Sequence, residues 1–499
     1  MELKGKFWLV LVLMLVAAYF PICLHLDAFP IQKWDESRLT GNAIDMADHF
    51  TGLVVQYDGK PDDWSTKPPF MIWCQALGIK AFGIGELAMR LPSAIAALLT
   101  CVLVFVAGLR YLKSYVWAFA TVLALVTSQG YVSLHGARTG DFDVMLTLFI
   151  TGYLICWFQY IDGGLKRKWV FAFALLLVCA VYTKGVAALM MLPGVFLFTL
   201  LSRKVLVVMR RPAFWIAVAG IVFFSVGYYY VRNLQQPGYW AAIIENELWG
   251  RFGHSVEGHA EPFEYYLKNF ISFRYVFWYA VCLGGIVLSL VFEKGLQKRW
   301  LLYLLMNGVL YLLVISKGVT KLEWYDMPLY PLAAFFVAYP VELIWRAVRT
   351  HSGMTGKRNI SYYTLAGVTL ALVFFQPYRN MLNAATNWQP APWEPATYDN
   401  GTVLKMMTSG KLPCKKVYIA ELGYEPQTLM YVRLFNDGGG DATFLDYKLM
   451  KPGDTVLTQK KEVKEYIDAH YYATPVLIEN AAILYAITGY LPENAGAGK

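Results

Sequence analysis

The sequence predicts an integral membrane protein: an all-helical bundle of many spans, followed by a small soluble α/β domain. Three observations carry that expectation. The 499-residue chain is 57% hydrophobic and only 16% charged, with a mean hydropathy of +0.42, too apolar for a soluble chain of this length. Its apolar residues gather into segments of about 17–25 residues, the length that crosses a bilayer. Past residue 380 that pattern stops, and short runs separated by turn residues replace it.

About eleven segments read as spans, at 7–26, 88–109, 115–134, 144–161, 169–183, 186–201, 213–231, 271–292, 300–316, 327–347 and 361–377. The region 169–201 admits more than one division. The first segment follows Lys4 and Lys6 like a signal peptide, but Pro21, His25 and Asp27 stand where a small-residue cleavage site belongs, so a retained helix is expected.

Charge sets the expected orientation. With Lys4 and Lys6 inside, every second loop is short and basic: Arg110 and Lys113; Lys166, Arg167 and Lys168; Arg203, Lys204, Arg210 and Arg211; Lys294, Lys298 and Arg299; Arg346, Arg349, Lys357 and Arg358. The opposite loops hold the acids and histidines, and the tail falls on their side. The net charge of +9 thus reflects topology and calls for no nucleic acid. The seven cysteines show no metal-site or disulfide spacing and read as small packed residues.

The first external loop, 28–87, carries apolar residues at helical spacing over 40–50 and 70–82, which predicts short helices in the membrane interface. The second, 232–270, is rich in Trp, Tyr, His and Glu. Residues 381–399 read as an irregular linker. Beyond it, strands are expected at 415–420, 442–445, 455–458 and 475–478, with helices at 427–435 and 461–469. The chain therefore divides into a membrane domain, 1–380, and an α/β domain, 381–499.

Topology gathers Asp35, Glu36, Lys67, Arg138, Asp141, Asp143, Lys184, Arg251, His254, His259, Lys317, Lys321 and Tyr325 on one side, most near a span end. Ionisable groups at membrane depth are costly and mark function. Acids and several cations around one cavity suit a substrate with a hydroxyl or amine at one end and a phosphate at the other. Each residue also has a plainer use. Asp35 and Glu36 open an interfacial helix, where acids are favoured. Lys67 can snorkel, and Asp143 can cap a span. Arg138 can pair with Asp141, three residues on. Lys184-Gly185 can be a turn. Asp141 and Asp143, two apart on a helix, would face different ways, so only one is expected inward. His254, Glu257, His259 and Glu261 match no metal motif and read as a solvated loop.

In order and spacing, a set of short motifs resembles the bacterial GT-C glycosyltransferases that use polyprenyl-phosphate sugars, the family of the lipid A aminoarabinose transferases and relatives of protein O-mannosyltransferases. The motifs are Trp34-Asp35-Glu36-Ser37-Arg38, Lys67-Pro68-Pro69-Phe70, Phe82-Gly83 with Arg90-Leu91-Pro92-Ser93, Arg138-Thr139-Gly140-Asp141-Phe142-Asp143, Thr183-Lys184-Gly185, Arg251-Phe252 with Pro262-Phe263-Glu264-Tyr265-Tyr266, and Lys321-Leu322-Glu323-Trp324-Tyr325 with Pro328 and Pro331. The resemblance covers roughly residues 5–345.

It implies a GT-C bundle of about 11–13 spans in the bacterial inner membrane, with active site and tail periplasmic. It implies an inverting transfer of one sugar from undecaprenyl phosphate to lipid A, another glycolipid or a protein. By resemblance, Asp35, Glu36 and Asp143 are the acids of the site, Asp35 being nearest the transfer. Lys67, Arg251 and Tyr325 hold the lipid phosphate, with Lys184, Arg138 and Lys321 among the donor-side cations. In the aminoarabinose enzymes a glutamate precedes the lysine, associated in some members with a divalent ion and a second-loop histidine. Thr66 stands there in this chain, so a metal would need Asp62, Asp63, His254 or His259 as substitutes, with His254 and His259 the candidates, and no other cofactor is implied. The expected partners are the lipid-linked donor, the acceptor and membrane lipids. The rival expectation is a transporter or flippase of lipid-linked sugars; those folds commonly show internal repeats, and none is visible.

Overall fold

The computed structural model describes residues 2–133, 135–249, 258–351, 360–387, 399–421 and 425–492. Among these, seven helices are long and apolar enough to cross a membrane: Lys6–Cys23, Glu86–Leu112, Phe142–Asp162, Arg167–Leu189, Pro212–Gln235, Gly295–Lys317 and Glu323–Thr350. Residues 271–292, expected as one span, form part of a broken pair, Tyr265–Arg274 and Tyr279–Phe292, bent by 111°. Counting that pair as one span gives eight.

The expected span at 115–134 is also interrupted. It becomes a helix at Tyr115–Val126 and a single turn at Gln129–Val132. The break has a local cause. The hydroxyls of Thr127 and Ser128 donate back to the carbonyls of Leu123 and Ala124, each at 2.6 Å, a bonding mode that bends helices. Trp278 then donates its indole N–H to Thr127 Oγ1 at 3.0 Å, pinning this break to that of the bent pair.

The helices that position the site are α1 (Glu2–Cys23), α2 (Asp35–Asp48), α3 (Phe70–Phe82), α4 (Glu86–Ala107), α5 (Tyr115–Val126), α6 (Gln129–Val132), α7 (Phe142–Asp162) and α8 (Arg167–Lys184). α7 is buried on all sides and packs against α4, α8 and the 3-10 turn Glu323–Leu329. A helix apolar all round belongs at the centre of a bundle, so whatever sits at its N-terminus is central too. α1, by contrast, exposes Trp8, Leu9, Val12, Leu13, Val16 and Tyr19 on its outer face. α2 begins at Asp35, five residues before the expected 40–50 helix; α3 coincides with its expected range. Between them a small antiparallel hairpin, β1 (Gln56–Tyr57) and β2 (Lys60–Pro61), leads toward Lys67.

The tail is α/β as expected. Its strands are β3 (Lys416–Ile419), β4 (Asp441–Phe444), β5 (Thr455–Thr458), β6 (Tyr471–Glu479) and β7 (Ala482–Tyr490), ordered β4-β3-β5-β7-β6. β3 runs parallel to β4 and β5, while β7 is antiparallel to β5 and β6. β7 and the helix Asp399–Thr408 were not anticipated. The tail helix Pro426–Asp437 packs on α2. From it, Tyr431 donates to Glu86 Oε1 at 3.0 Å and accepts from the Ile31 amide at 2.8 Å. Lys405 pairs with the same Glu86 at 2.8 Å. The tail therefore braces the loop that carries Asp35.

Candidate active site

The site is built on the two acids that open α2, and they do different work. Glu36 is fully buried. It accepts from Arg90 Nε at 2.7 Å and Nη2 at 2.9 Å, from the Gln32 amide at 2.8 Å, and from the Gly140 amide at 2.8 Å. Arg90 spends its other three N–H groups on the carbonyls of Leu26, Phe29 and Pro30, each at 2.8 Å. All five guanidinium donors are thereby used, the bidentate arrangement that only arginine offers. Glu36, expected among the reacting acids, instead knits α2, α4 and the loop before α7 together.

Asp35 faces the other way. Its side chain is 39% exposed, and Oδ2 lies 3.9 Å from His135 Nδ1. Trp34 before it adopts φ 70 and ψ −112, a backbone region non-glycine residues avoid and that occurs at functional sites.

His135 was not singled out in the sequence. It is buried, at φ 54, and stacks on Trp324 with ring centroids 3.5 Å apart. Its Nδ1 approaches Asp141 Oδ2 at 3.2 Å. Burial opposes its protonation, but the carboxylates of Asp141, Asp35 and Asp143 outweigh burial and raise its pKa above the ordinary histidine value. Asp141 and Asp143 are both buried, against the expectation that only one points inward. The helical-face argument fails because Asp141 is the extended N-cap residue, φ −102 and ψ 166, and lies outside the helix. The chain here is fixed at Gly140, whose carbonyl accepts from Gln75 Nε2 at 2.9 Å. A Cβ at Gly140 would meet Gln75 Nε2 at 2.9 Å and the Met89 carbonyl at 3.0 Å, so any larger residue there would have to displace the Gln75 amide that holds the turn.

Asp143, in the first turn of α7, takes Lys184 Nζ at 2.6 and 2.7 Å on its two oxygens. Lys184 ends α8 and lies 4.8 Å from the ring centroid of Tyr325. The turn Glu323–Leu329 thus sends Trp324 to His135 and Tyr325 to Lys184, joining the two acid centres. Lys67 is half-buried, with Nζ 5.3 Å from the ring centroid of Phe142, the residue between Asp141 and Asp143. Next to it, the Thr66 hydroxyl donates to Glu247 Oε1 at 2.7 Å. The carboxylate beside Lys67 is thus that of Glu247, from the second external loop, rather than of the residue before the lysine.

Two expected donor-side cations are placed elsewhere. Arg138 does not pair with Asp141. It donates to the carbonyls of Pro21, Ile22, Leu24, His25 and Ala385, closing the C-terminus of α1, where such carbonyls lack helical partners. Lys321 is buried and donates to the carbonyls of Glu261 and Gly318, which ties the second external loop to the end of the helix Gly295–Lys317. Arg251 and His254 lie outside the described residues. His259 is exposed, and its carbonyl accepts from the Lys321 amide at 3.1 Å.

Comparison with known proteins agrees with this architecture. The family described as dolichyl-phosphate-mannose-protein mannosyltransferase matches residues 66–230. An uncharacterised protein of Aquifex aeolicus is 26% identical over 340 residues, 67% of this chain and 63% of that protein. The undecaprenyl phosphate-alpha-4-amino-4-deoxy-L-arabinose arabinosyl transferase of Aeromonas hydrophila is 25% identical over 364 residues, 71% of this chain and 64% of the transferase. The chain thus spans a little under two thirds of the length of these relatives. In fold it is similar to ArnT from Cupriavidus metallidurans bound to undecaprenyl phosphate, with a TM-score of 0.70 at 15% identity, over 97% of this chain and 98% of that one. Family model, relatives and fold converge: the chain has the fold of the GT-C glycosyltransferases and is similar in sequence to the undecaprenyl-phosphate-dependent aminoarabinose transferases.

Proposed function

We propose that this chain transfers one sugar from undecaprenyl phosphate to an acceptor at the periplasmic face of the bacterial inner membrane, with inversion. The acceptor is a glycolipid such as lipid A, or a protein. The observation that carries the reading is the chain of contacts from half-exposed Asp35 through His135, Trp324, Tyr325 and Lys184 to Asp143, with Lys67 against Phe142. An accessible acid and a set of cations meet at one end of the bundle. The basic bias of the opposite loops supports a periplasmic placement of that end. Residues 1–380 act as the catalytic membrane domain, and 381–499 as a periplasmic domain that braces the first loop.

In the reaction, the bond from the anomeric carbon to the lipid-phosphate oxygen breaks, and the acceptor oxygen forms the new bond from the opposite face. The electron pair leaves on the phosphate, which Lys67, Arg251 and the Tyr325 hydroxyl stabilise. Asp35 orients the acceptor and, when that is a hydroxyl, takes its proton. Lys184 holds Asp143 in place. Glu36, Arg138 and Lys321 position the loops and stay out of the chemistry. The test is transfer of radiolabelled sugar from undecaprenyl phosphate to a membrane fraction. Loss of transfer in Asp35→Asn and Lys67→Ala supports the assignment. Transfer intact in both overturns it, and flipping of the donor without transfer supports a flippase instead.

A further inference from the structure

In the tail's sheet, β3 sends the chain toward β4, while β5 sends it the opposite way, toward β7 and β6. The carboxyl ends of β3 and β5 therefore flank a topological switch point, where open α/β sheets form their binding crevice. Three helices begin beside it: Asp399–Thr408, Pro426–Asp437 and Lys461–His470. The strand ends and helix starts bring Asn400, Glu421, Glu425, Gln427, Gln459 and Lys460 together.

Asn400 donates its side-chain N–H to Glu421 Oε1, and Gln427 donates to Glu425 Oε2. A carboxylate only accepts, so each amide turns its nitrogen to the acid and its oxygen away. Those oxygens, Asn400 Oδ1 and Gln427 Oε1, have no hydrogen-bond partner among the described residues, and neither does Glu421 Oε2. Asn400 is 0% and Gln427 2% exposed, and the Glu421 side chain is 2% exposed. Lys460 pairs with Glu425 Oε1, and its Nζ lies 3.9 Å from Glu421 Oε2, an ion pair too long to be a hydrogen bond. Buried polar groups are almost always satisfied. The three left over here are all acceptors, so whatever completes them must donate.

We propose that this crevice of the tail binds a sugar, whose hydroxyl groups donate to Glu421 Oε2, Asn400 Oδ1 and Gln427 Oε1. A sugar carries several O–H donors on one small frame, which is what three neighbouring acceptors require. Two carboxylates against one lysine disfavour an anion and accommodate an amino sugar. The surrounding backbone is held: Asp399 accepts from the Ala481 amide at 2.9 Å, the Asn400 amide donates to Gln459 Oε1 at 3.1 Å, and the Ala420 amide donates to the Leu457 carbonyl at 3.0 Å. Lys460, with its side chain 32% exposed, marks the side open to solvent. Five residues on from Asn400, a rise of about 7.5 Å along the same helix, Lys405 donates to the Asp27 carbonyl and to Glu86, each at 2.8 Å. The helix that opens the crevice thus also grips the loop that carries Asp35. That the sugar belongs to the acceptor rests on the function proposed above; binding in the crevice does not.

The test uses the full-length chain in a detergent without a sugar headgroup, titrated by calorimetry with glucosamine, with glucose and with inorganic phosphate. Saturable binding of at least one of the two sugars is expected. Glu421→Gln puts a donor where Oε2 accepts and should weaken that binding about 10–100-fold. Gln427→Met, which removes a second acceptor, should weaken it in the same direction and serves if Glu421→Gln does not fold. Glu465→Ala, exposed on the helix Lys461–His470, and Asp35→Asn should leave it unchanged. Binding of neither sugar, equal binding by a folded Glu421→Gln, or binding of phosphate in place of both sugars overturns the site. So does binding that is lost in Asp35→Asn and kept in Glu421→Gln, which assigns the sugar to the membrane domain. A chain that binds the sugar through Glu421 but transfers none upholds the crevice and defeats the transferase reading.

Discussion

Lys184 sets its ammonium against both oxygens of Asp143, at 2.6 and 2.7 Å, where α8 ends and α7 begins. Both side chains are almost completely buried. A buried pair of this kind is poor evidence for net stability, but breaking it leaves an uncompensated charge.

Replacing Lys184 with Met is therefore expected to cost about 3–5 kcal/mol, read as a lower thermal midpoint of the purified chain. Adding Asp143→Asn should restore part of that loss without restoring transfer. If the double variant is no more stable than Lys184→Met, the pair is not coupled as described.

Asp35 answers differently because its side chain is 39% exposed. Asp35→Asn should leave the thermal midpoint nearly unchanged while lowering kcat by about 10²–10⁴-fold, the range of a lost general base. A fall in stability with activity retained would make Asp35 a helix-opening residue only.

Arg90→Lys keeps the charge but not the fork. With five hydrogen bonds to Glu36 and three carbonyls at stake, a loss of about 3–5 kcal/mol is expected. Cysteine-accessibility labelling at Lys33 changed to Cys should rise in parallel, because the Asp35 loop loosens.

In the tail, burial pushes the Glu421 carboxyl up to about 7, with Glu425 adding to the rise and Lys460 opposing it. A carboxyl raised above its unfolded value binds a proton more tightly when folded. Its contribution is thus fully present below about 4.3 and is lost as pH climbs through about 7. Glu421→Gln, which keeps an acceptor for Asn400, should raise the thermal midpoint at pH 8 relative to wild type and much less at pH 5. Equal shifts at both values would count against a buried, proton-binding Glu421.

The site was partly legible in the chain. Asp35, Lys67, Asp143, Lys184 and Tyr325 stood out as charges or phenol groups near span ends, where ionisable groups are costly. Arg138 and Lys321 stood out equally, but their partners are backbone carbonyls, which leave no mark in a sequence. His135 was silent: a single histidine in a loop has no spacing signal, and a positive φ together with the Trp324 ring brings it to the acids. In the fold, broken helices were read as continuous because Thr127 and Ser128 are tolerated in apolar runs. β7, Ala482–Tyr490, was missed because neighbouring Leu484 and Tyr485 are both buried, which breaks the alternation that marks a half-buried strand.

Glu86 and Arg90 are four residues apart on α4, on one face of the helix. The first takes Tyr431 and Lys405 from the tail, and the second takes Glu36 beneath the Asp35 loop. The two halves of the chain are therefore not interchangeable parts. A hybrid that joins this membrane bundle to a tail lacking the Tyr431 phenol would leave the acid at position 86 without that partner. Its defect would surface in sugar transfer, far from the junction. Tail and bundle must be exchanged as a matched set, together with residue 86.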